Sequence, residues 1–409
     1  MSAETVLNHI ADLEDAALEL HTSLVAIPAI GPANGGDGEK EKADFLTEYL
    51  KRHGFENLKF FSVPDDRVTC GYRPNIAAII PGKDTSKTLW IISHMDVVPE
   101  GDRSLWHTDP FKLERKKDKI FGRGVEDNHQ GMVSSIIAGR AFLETETVPD
   151  VNLGILIVSD EETGSKYGLA NIATEHADIF SKDDLILIPD FGTENSKLIE
   201  VAEKSSLWLK VTVEGKQCHA SNPEEGINSL VAASAMIVEI PELQYYFDDE
   251  DDLFSPPHST FVPTKKEANV SSVNILPGKD IFYVDCRILP NYKLNQVIDR
   301  VMSMGDYVGE EYGVNVTVEV ESKTQAPAPT PTDAEIITKL KKAIKVVYDV
   351  DAVPGGIGGN TVAAFLRDKG FNCAVWATIL NQAHQPNETG SISCTLDDAR
   401  VMSLLALND

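Results

Sequence analysis

The stretch Leu89-Trp90-Ile91-Ile92-Ser93-His94-Met95-Asp96 decides the reading of this chain, because an apolar run ends in a histidine and an aspartate. The arrangement recurs. Residues 151–158 run into Asp160-Glu161-Glu162, residues 185–188 into Pro189-Asp190, and residues 373–380 are followed by His384. Short apolar runs bounded by polar loops read as buried strands. In an open α/β sheet, ligand sites lie outside the carboxyl ends of the strands. Strand ends that offer His, two Glu, Asp and His therefore predict one shared site.

Working outward from these strands, helix and strand alternate over residues 1–204. Residues 1–26 space Val6, Leu7, Ile10, Leu13, Ala17 and Leu24 along one helical face. Residues 44–53 read as a helix closed by Gly54, residues 75–80 and 88–93 as strands, and residues 127–144 as a helix. The expected fold class is α/β, with a mainly parallel sheet covered by helices on both faces. Residues 205–322 read differently. Strands are expected at 207–213, 268–276, 281–289 and 314–320, and helices at 227–238 and 294–308, with Pro277-Gly278 as a turn. That order, β-α-β-β-α-β, is the ferredoxin-like pattern. The acidic residues 248–252 read as a solvated loop within it. A Pro-rich linker starts at Gln325, and Thr332 and Glu335 have the spacing of a capping box for a helix through Val347. The expected organisation is a catalytic domain in two parts, 1–204 and 323–409, with the smaller domain 205–322 inserted between them.

Composition narrows the class. A chain of 409 residues exceeds the size at which one core keeps growing. A net charge of −27 argues against nucleic acid or an anionic membrane as partner, since both require clustered Lys and Arg. Five cysteines, an odd number without CxxC spacing, argue against a disulfide framework and for a reducing compartment. The sequence starts with no signal-peptide pattern and holds no apolar run long enough to span a bilayer, so a cytoplasmic location is expected.

Two divalent ions about 3.5–4 Å apart polarise both substrate and water in two-metal hydrolases. A bridging carboxylate is their natural centre, and Asp127 is the candidate. It ends the Gly-rich turn Gly122-Arg123-Gly124-Val125-Glu126-Asp127 at the start of a helix, where taken singly it would read as a cap. His94 and Asp190 complete one ion and Glu162 and His384 the other. Such mixed His and carboxylate ligation suits Zn²⁺, Co²⁺ or Mn²⁺. Asp96 is placed to orient the His94 imidazole. The remaining task is that of a general base, and the Glu161-Glu162 pair can supply both a ligand and a base; residue order does not say which is which.

These motifs together resemble the co-catalytic zinc amidohydrolases and exopeptidases that include aminoacylase, acetylornithine deacetylase, succinyl-diaminopimelate desuccinylase and carboxypeptidase G. The resemblance runs over nearly the whole chain, from Ser93-His94-Met95-Asp96 through Asp160-Glu161-Glu162-Thr163-Gly164-Ser165 to His384-Gln385-Pro386-Asn387-Glu388. It implies that His94, Asp127 and Asp190 hold one metal, that Asp127, Glu162 and His384 hold the other, and that Glu161 is the base, with Asp96 clamping His94. It implies further that the inserted domain is a lid and dimerisation domain. There, His219 in Gly215-Lys216-Gln217-Cys218-His219-Ala220 is to stabilise the oxyanion in a neighbouring subunit's site, and Asn274 and Arg287 are to bind a substrate carboxylate. Two departures stand out. His129 replaces a lysine usual after the bridging Asp, which leaves open whether it joins the metals. Gly358-Gly359-Asn360-Thr361 replaces the usual Gly-Gly-Ser/Thr-Asp, which puts Gly359 and Asn360 at the substrate side.

The expected function is hydrolysis of the amide of an N-acyl amino acid of the N-succinyl-diaminopimelate or N-acetylornithine type, by a homodimer. A dipeptidase or carboxypeptidase acting on small peptides with a free carboxylate is the alternative within the class. A non-catalytic binding protein of the same fold is the alternative outside it.

Overall fold

The computed structural model describes residues 3–407; Met1, Ser2, Asn408 and Asp409, part of the expected catalytic domain, lie outside the described residues. The chain divides into two compact units. One comprises residues 1–201, 330–354 and 365–409, the other residues 202–329 and 355–364.

The first unit is built on a mixed eight-stranded sheet with a parallel centre. Val151–Val158, Asp84–His94, Leu185–Gly192 and Cys373–Ala377 lie side by side and run in one direction. Antiparallel strands flank them: Asn57–Pro64 and Tyr72–Ile80 on one side, Leu198–Glu203 on the other. The central strands are buried on both faces, which is why they read as unbroken apolar runs. Their common direction brings the ends that carry or precede His94, Glu161, Glu162, Asp190 and His384 to one edge of the sheet.

Helix His129–Glu144 packs on three of these strands and is covered by helices Glu14–Ala26 and Ile392–Leu405. This double coverage buries it all round. Gly131 lets it approach closely, since a Cβ there would lie 2.4 Å from the Pro189 carbonyl oxygen. The single helix expected over 1–26 is two, Ala3–Asp12 and Glu14–Ala26, with buried Leu13 at the break. The expected capping box does not form. The helix runs Glu335–Tyr348 from Ala334 without a side-chain cap, and Glu335 instead pairs with Lys87 at 2.6 Å.

The second unit is a four-stranded antiparallel sheet in the order Thr260–Lys266, Lys279–Ile288, Ser205–Glu214, Asn315–Thr324. Helices Ser229–Glu239 and Leu294–Tyr312 bury Ala232, Met236, Val297 and Val301 against Leu209, Val211, Phe282 and Val284. Along Lys279–Ile288 buried positions alternate with half-exposed ones, as one covered face requires. The strand expected at 268–276 is not there. The second strand is Thr260–Lys266, an edge strand that tolerates Pro263, and only Ile275–Leu276 is extended, paired with Cys218–His219.

The unit boundaries also differ from those expected at 204/205 and 322/323. Residues 355–364 group with the second unit because Ile357 accepts the Lys204 N–H, Gly356 abuts Phe254, and Thr361 donates to Glu203 at 2.6 Å.

Candidate metal centre

His94 is the last residue of its strand, and Asp190 lies near the end of Leu185–Gly192. Glu161 and Glu162 open a single 3-10 turn after Val151–Val158, entered through Asp160 at φ 65°. His384 follows Cys373–Ala377 on a loop, at φ 63°. Asp127 ends the turn before helix His129–Glu144.

These side chains converge. His94 Nε2 lies 2.9 Å from Asp127 Oδ1 and 3.3 Å from Asp190 Oδ1. His384 Nε2 lies 3.2 Å from Asp127 Oδ2 and 3.0 Å from Glu162 Oε2. Asp127 thus turns one oxygen to each histidine, the arrangement of a bridging carboxylate. Glu161 lies beside His94 and Asp190, with one ligand atom of each within 4.8 Å of the others.

The donor set fits divalent cations. His94 Nδ1 lies 3.0 Å from the Asp96 carbonyl oxygen, which can only accept, so Nδ1 carries the proton in the neutral ring and the Nε2 lone pair points at the carboxylates. Glu162 Oε1 is buried and has no hydrogen-bond partner. The cluster also demands positive charge. Burial alone would lower the His94 pKa, but the charge of Asp190 and hydrogen bonds to Asp127 and Asp190 drive it well above the ordinary value. Hydrogen bonds to Asp127 and Glu162 push His384 up to about 10. Burial, reinforced by the charge of Asp190, raises Glu161 well above the carboxylate range. Burial also raises Glu162.

The supporting shell differs in part from expectation. Asp96 was expected to orient the His94 ring, and it is the Asp96 main-chain carbonyl that makes the shorter contact, at 3.0 Å. The carboxylate, whose Oδ1 is 3.5 Å from Nδ1, accepts the backbone N–H groups of Glu161 at 3.1 Å and Glu162 at 3.0 Å. Asp96 therefore ties the Glu161-Glu162 turn to the His94 strand. His129 is not a ligand: it is fully buried, and its Nε2 lies 2.8 Å from Lys42 Nζ. Burial lowers the Lys42 pKa to about 7.

Other side chains support the site without an expected role. Asn128 donates through Nδ2 to Asp190 Oδ1 at 2.6 Å and to the Pro189 carbonyl at 2.7 Å. Buried Arg73 pairs with buried Glu39 and donates to Asp160 at 3.2 Å, anchoring the turn from its other end. Glu388 accepts the N–H groups of Gly124, Glu126 and Asp127, at 2.8, 2.9 and 3.1 Å. Of these, only Asn128 and Glu388 stand in or beside a recognised motif.

The profile of peptidase family M20/M25/M40 matches residues 90–408. The chain belongs to this family. Membership makes it a metallohydrolase acting on amide bonds. An uncharacterized metallohydrolase of Methanocaldococcus jannaschii is 43% identical over 395 residues, covering 92% of this chain and 95% of that protein. A succinyl-diaminopimelate desuccinylase of Polynucleobacter necessarius is 26% identical over 356 residues, covering 86% and 88%. The crystal structure of aminopeptidase PepT from Bacillus cereus shares the fold, with a TM-score of 0.74 at 19% identity over 99% of this chain and 98% of that one.

The second unit of this M20 chain carries the remaining expected site residues. His219 is exposed, and its Nδ1 accepts the Ser221 N–H at 3.1 Å with the Ser221 hydroxyl at 2.8 Å. A backbone N–H can only donate, so the neutral ring carries its proton on Nε2. Asn274 is exposed; its side chain accepts from Ser272 at 2.6 Å and its carbonyl from Ala220 N. Arg287 stands in an ion pair: Nε and Nη2 donate to Asp285 at 2.8 and 2.9 Å, and Nη1 to the Gly358 carbonyl at 3.2 Å. A Cβ at Gly359 would meet open space. Asn360 donates to the Lys204 carbonyl at 3.2 Å.

Proposed function

We propose that this chain is a two-metal amidohydrolase that removes the acyl group from an N-acyl amino acid. The observation that carries the reading is Asp127, which turns one carboxylate oxygen to His94 and the other to His384, with Glu161 beside the first of these sets. His94, Asp127 and Asp190 would hold one ion, and Asp127, Glu162 and His384 the other. Two divalent ions, Zn²⁺ or else Co²⁺ or Mn²⁺, supply Lewis-acid polarisation of the carbonyl and acidify water.

The chain's own groups do the rest. Glu161 takes a proton from the attacking water as its oxygen bonds to the acyl carbon. The same carboxyl then returns this proton to the leaving amine as the C–N bond breaks. His219, with its proton on Nε2, is suited to donate to the oxyanion in a partner subunit's site. Asn274, Gly359 and Asn360 are assigned to the substrate side. Arg287 joins them once a substrate carboxylate displaces Asp285. A homodimer through residues 205–322 is part of this reading.

The desuccinylase relative favours an N-acyl amino acid, while the family's peptidases keep small peptides as a second reading. No helix among the described residues is long and apolar enough to cross a membrane. The test is a panel of N-acetyl and N-succinyl amino acids and dipeptides, assayed with Zn²⁺, Co²⁺ and Mn²⁺ alongside metal analysis. Cleavage of an N-acyl member with two ions per chain is expected. Cleavage of dipeptides alone selects the second reading. No hydrolysis with fewer than one ion per chain overturns both.

A further inference from the structure

The loops that bear Asp127 and His384 hold each other through two buried carboxylates. Glu388 lies four residues beyond His384. It accepts the N–H groups of Gly124, Glu126 and Asp127 and pairs with Arg123 at 2.7 Å. Glu126, next to Asp127, reaches the other way and accepts the N–H groups of Leu380 and Gln382, just before His384. Glu126 is 3% exposed and Glu388 fully buried. Each loop thus supplies the carboxylate that satisfies the other's main chain.

The two ligand sets depend on this clasp unequally. His94 and Asp190 stand on adjacent parallel strands, whose positions the sheet fixes. His384 stands on a loop, 56% exposed, at left-handed φ. Glu126 ties that loop just ahead of His384, and Glu388 ties it beyond His384.

We propose that Glu126 and Glu388 are positioning residues of the metal centre with separable effects. Glu126 sets the ion site of Glu162 and His384, and Glu388, through Asp127, sets both sites. The inference rests on the two-ion reading. Glu126→Gln keeps the shape but offers one acceptor, and turns an NH₂ toward a main-chain N–H. Partners that orient ligands are worth about 10–100-fold in metal affinity.

The test is a Zn²⁺ titration of the metal-stripped full chain by calorimetry, for wild type, Glu126→Gln and Glu388→Gln, with thermal melting of each metal-stripped protein. Wild type is expected to take two ions. Glu126→Gln is expected to keep the tighter ion and bind the second on the order of 10–100-fold more weakly, with a metal-stripped melt close to wild type. Glu388→Gln is expected to weaken both ions. Wild-type binding in Glu126→Gln, or equal loss of both ions, overturns the proposal. Fewer than two ions in wild type overturns the two-ion reading instead. Should Glu126→Gln not fold, Glu126→Asp, which keeps the charge but shortens the reach, is expected to show the same selective loss; wild-type or equal weakening there overturns the proposal.

Discussion

The Asp96 carboxylate grips the main chain of Glu161, accepting its N–H at 3.1 Å, and with its other oxygen takes the N–H of Glu162. Glu161 therefore owes its position to a residue one strand away. Asp96→Asn leaves a single acceptor for two amides and sets an NH₂ against one of them. Steady-state kinetics should show kcat reduced about 10–100-fold with little change in KM, and metal analysis unchanged content. An unaltered kcat would show that the turn holds its place without Asp96.

Glu161 itself is predicted to move a proton rather than hold an ion. Glu161→Gln fills the same space but cannot take a proton. It should lower kcat by roughly 10²–10⁴-fold while metal analysis shows wild-type ion content. Loss of an ion in the variant would place Glu161 among the ligands, with His94 and Asp190.

How much of this was legible depends on where each interaction's information lies. His94 and Asp190 end runs that are apolar because their strands are buried on both faces, so run and ligand are read together. His384 was harder, since six residues separate it from its strand; the apolar run ahead of it suggested it, and the motif resemblance gave it its role. Glu126, Glu388, Arg73 and Lys42 were not legible as supports. Most of their partners lie 34 to 265 residues away and are often main-chain N–H groups that any residue could offer. The edge strand Thr260–Lys266 escaped because Pro263, Lys265 and Lys266 break its pattern, which an edge position permits. Asp96 shows the same limit: its place two residues past His94 suggested the role of aiming that ring, which its carbonyl contacts, but the hold of its carboxylate on a turn of the next strand was not legible.

Arg73 offers a stability test. It is fully buried among Glu39, Asp160 and Asp65. Arg73→Met strands Glu39 and Asp160, while Asp65 keeps Arg67 at 2.8 Å, and removal of one partner from a buried ion pair costs about 3–5 kcal/mol. Urea unfolding of the variant should show a loss of that order. Arg73→Met with Glu39→Gln should recover a substantial part, because the second change removes one stranded charge. A double variant no more stable than the single one would locate the cost elsewhere.

The net charge of −27 predicts salt-dependent stability. Self-repulsion of like charges disfavours the compact state, and added salt shortens the range of that repulsion. The melting temperature should rise with KCl from low to physiological ionic strength. A flat response would mean that the acidic groups are locally compensated.

Asp398 provides the pH test away from the metal ligands. Its carboxylate accepts from Thr378 N at 3.0 Å and Tyr348 Oη at 2.6 Å, and burial pushes its pKa from 3.8 up to about 7. A carboxyl with a raised folded pKa binds more protons folded than unfolded between those values. Its contribution is therefore most favourable below 3.8, falls as pH rises through the window, and levels off above about 7. Asp398→Asn is neutral at every pH and lacks this slope. Thermal melts of both proteins from pH 4 to pH 8 should converge toward the acid end, with the wild type falling progressively below the variant until about pH 7. Parallel curves across that window would show that Asp398 is ionised in the folded protein throughout, stabilised by the groups that donate to it.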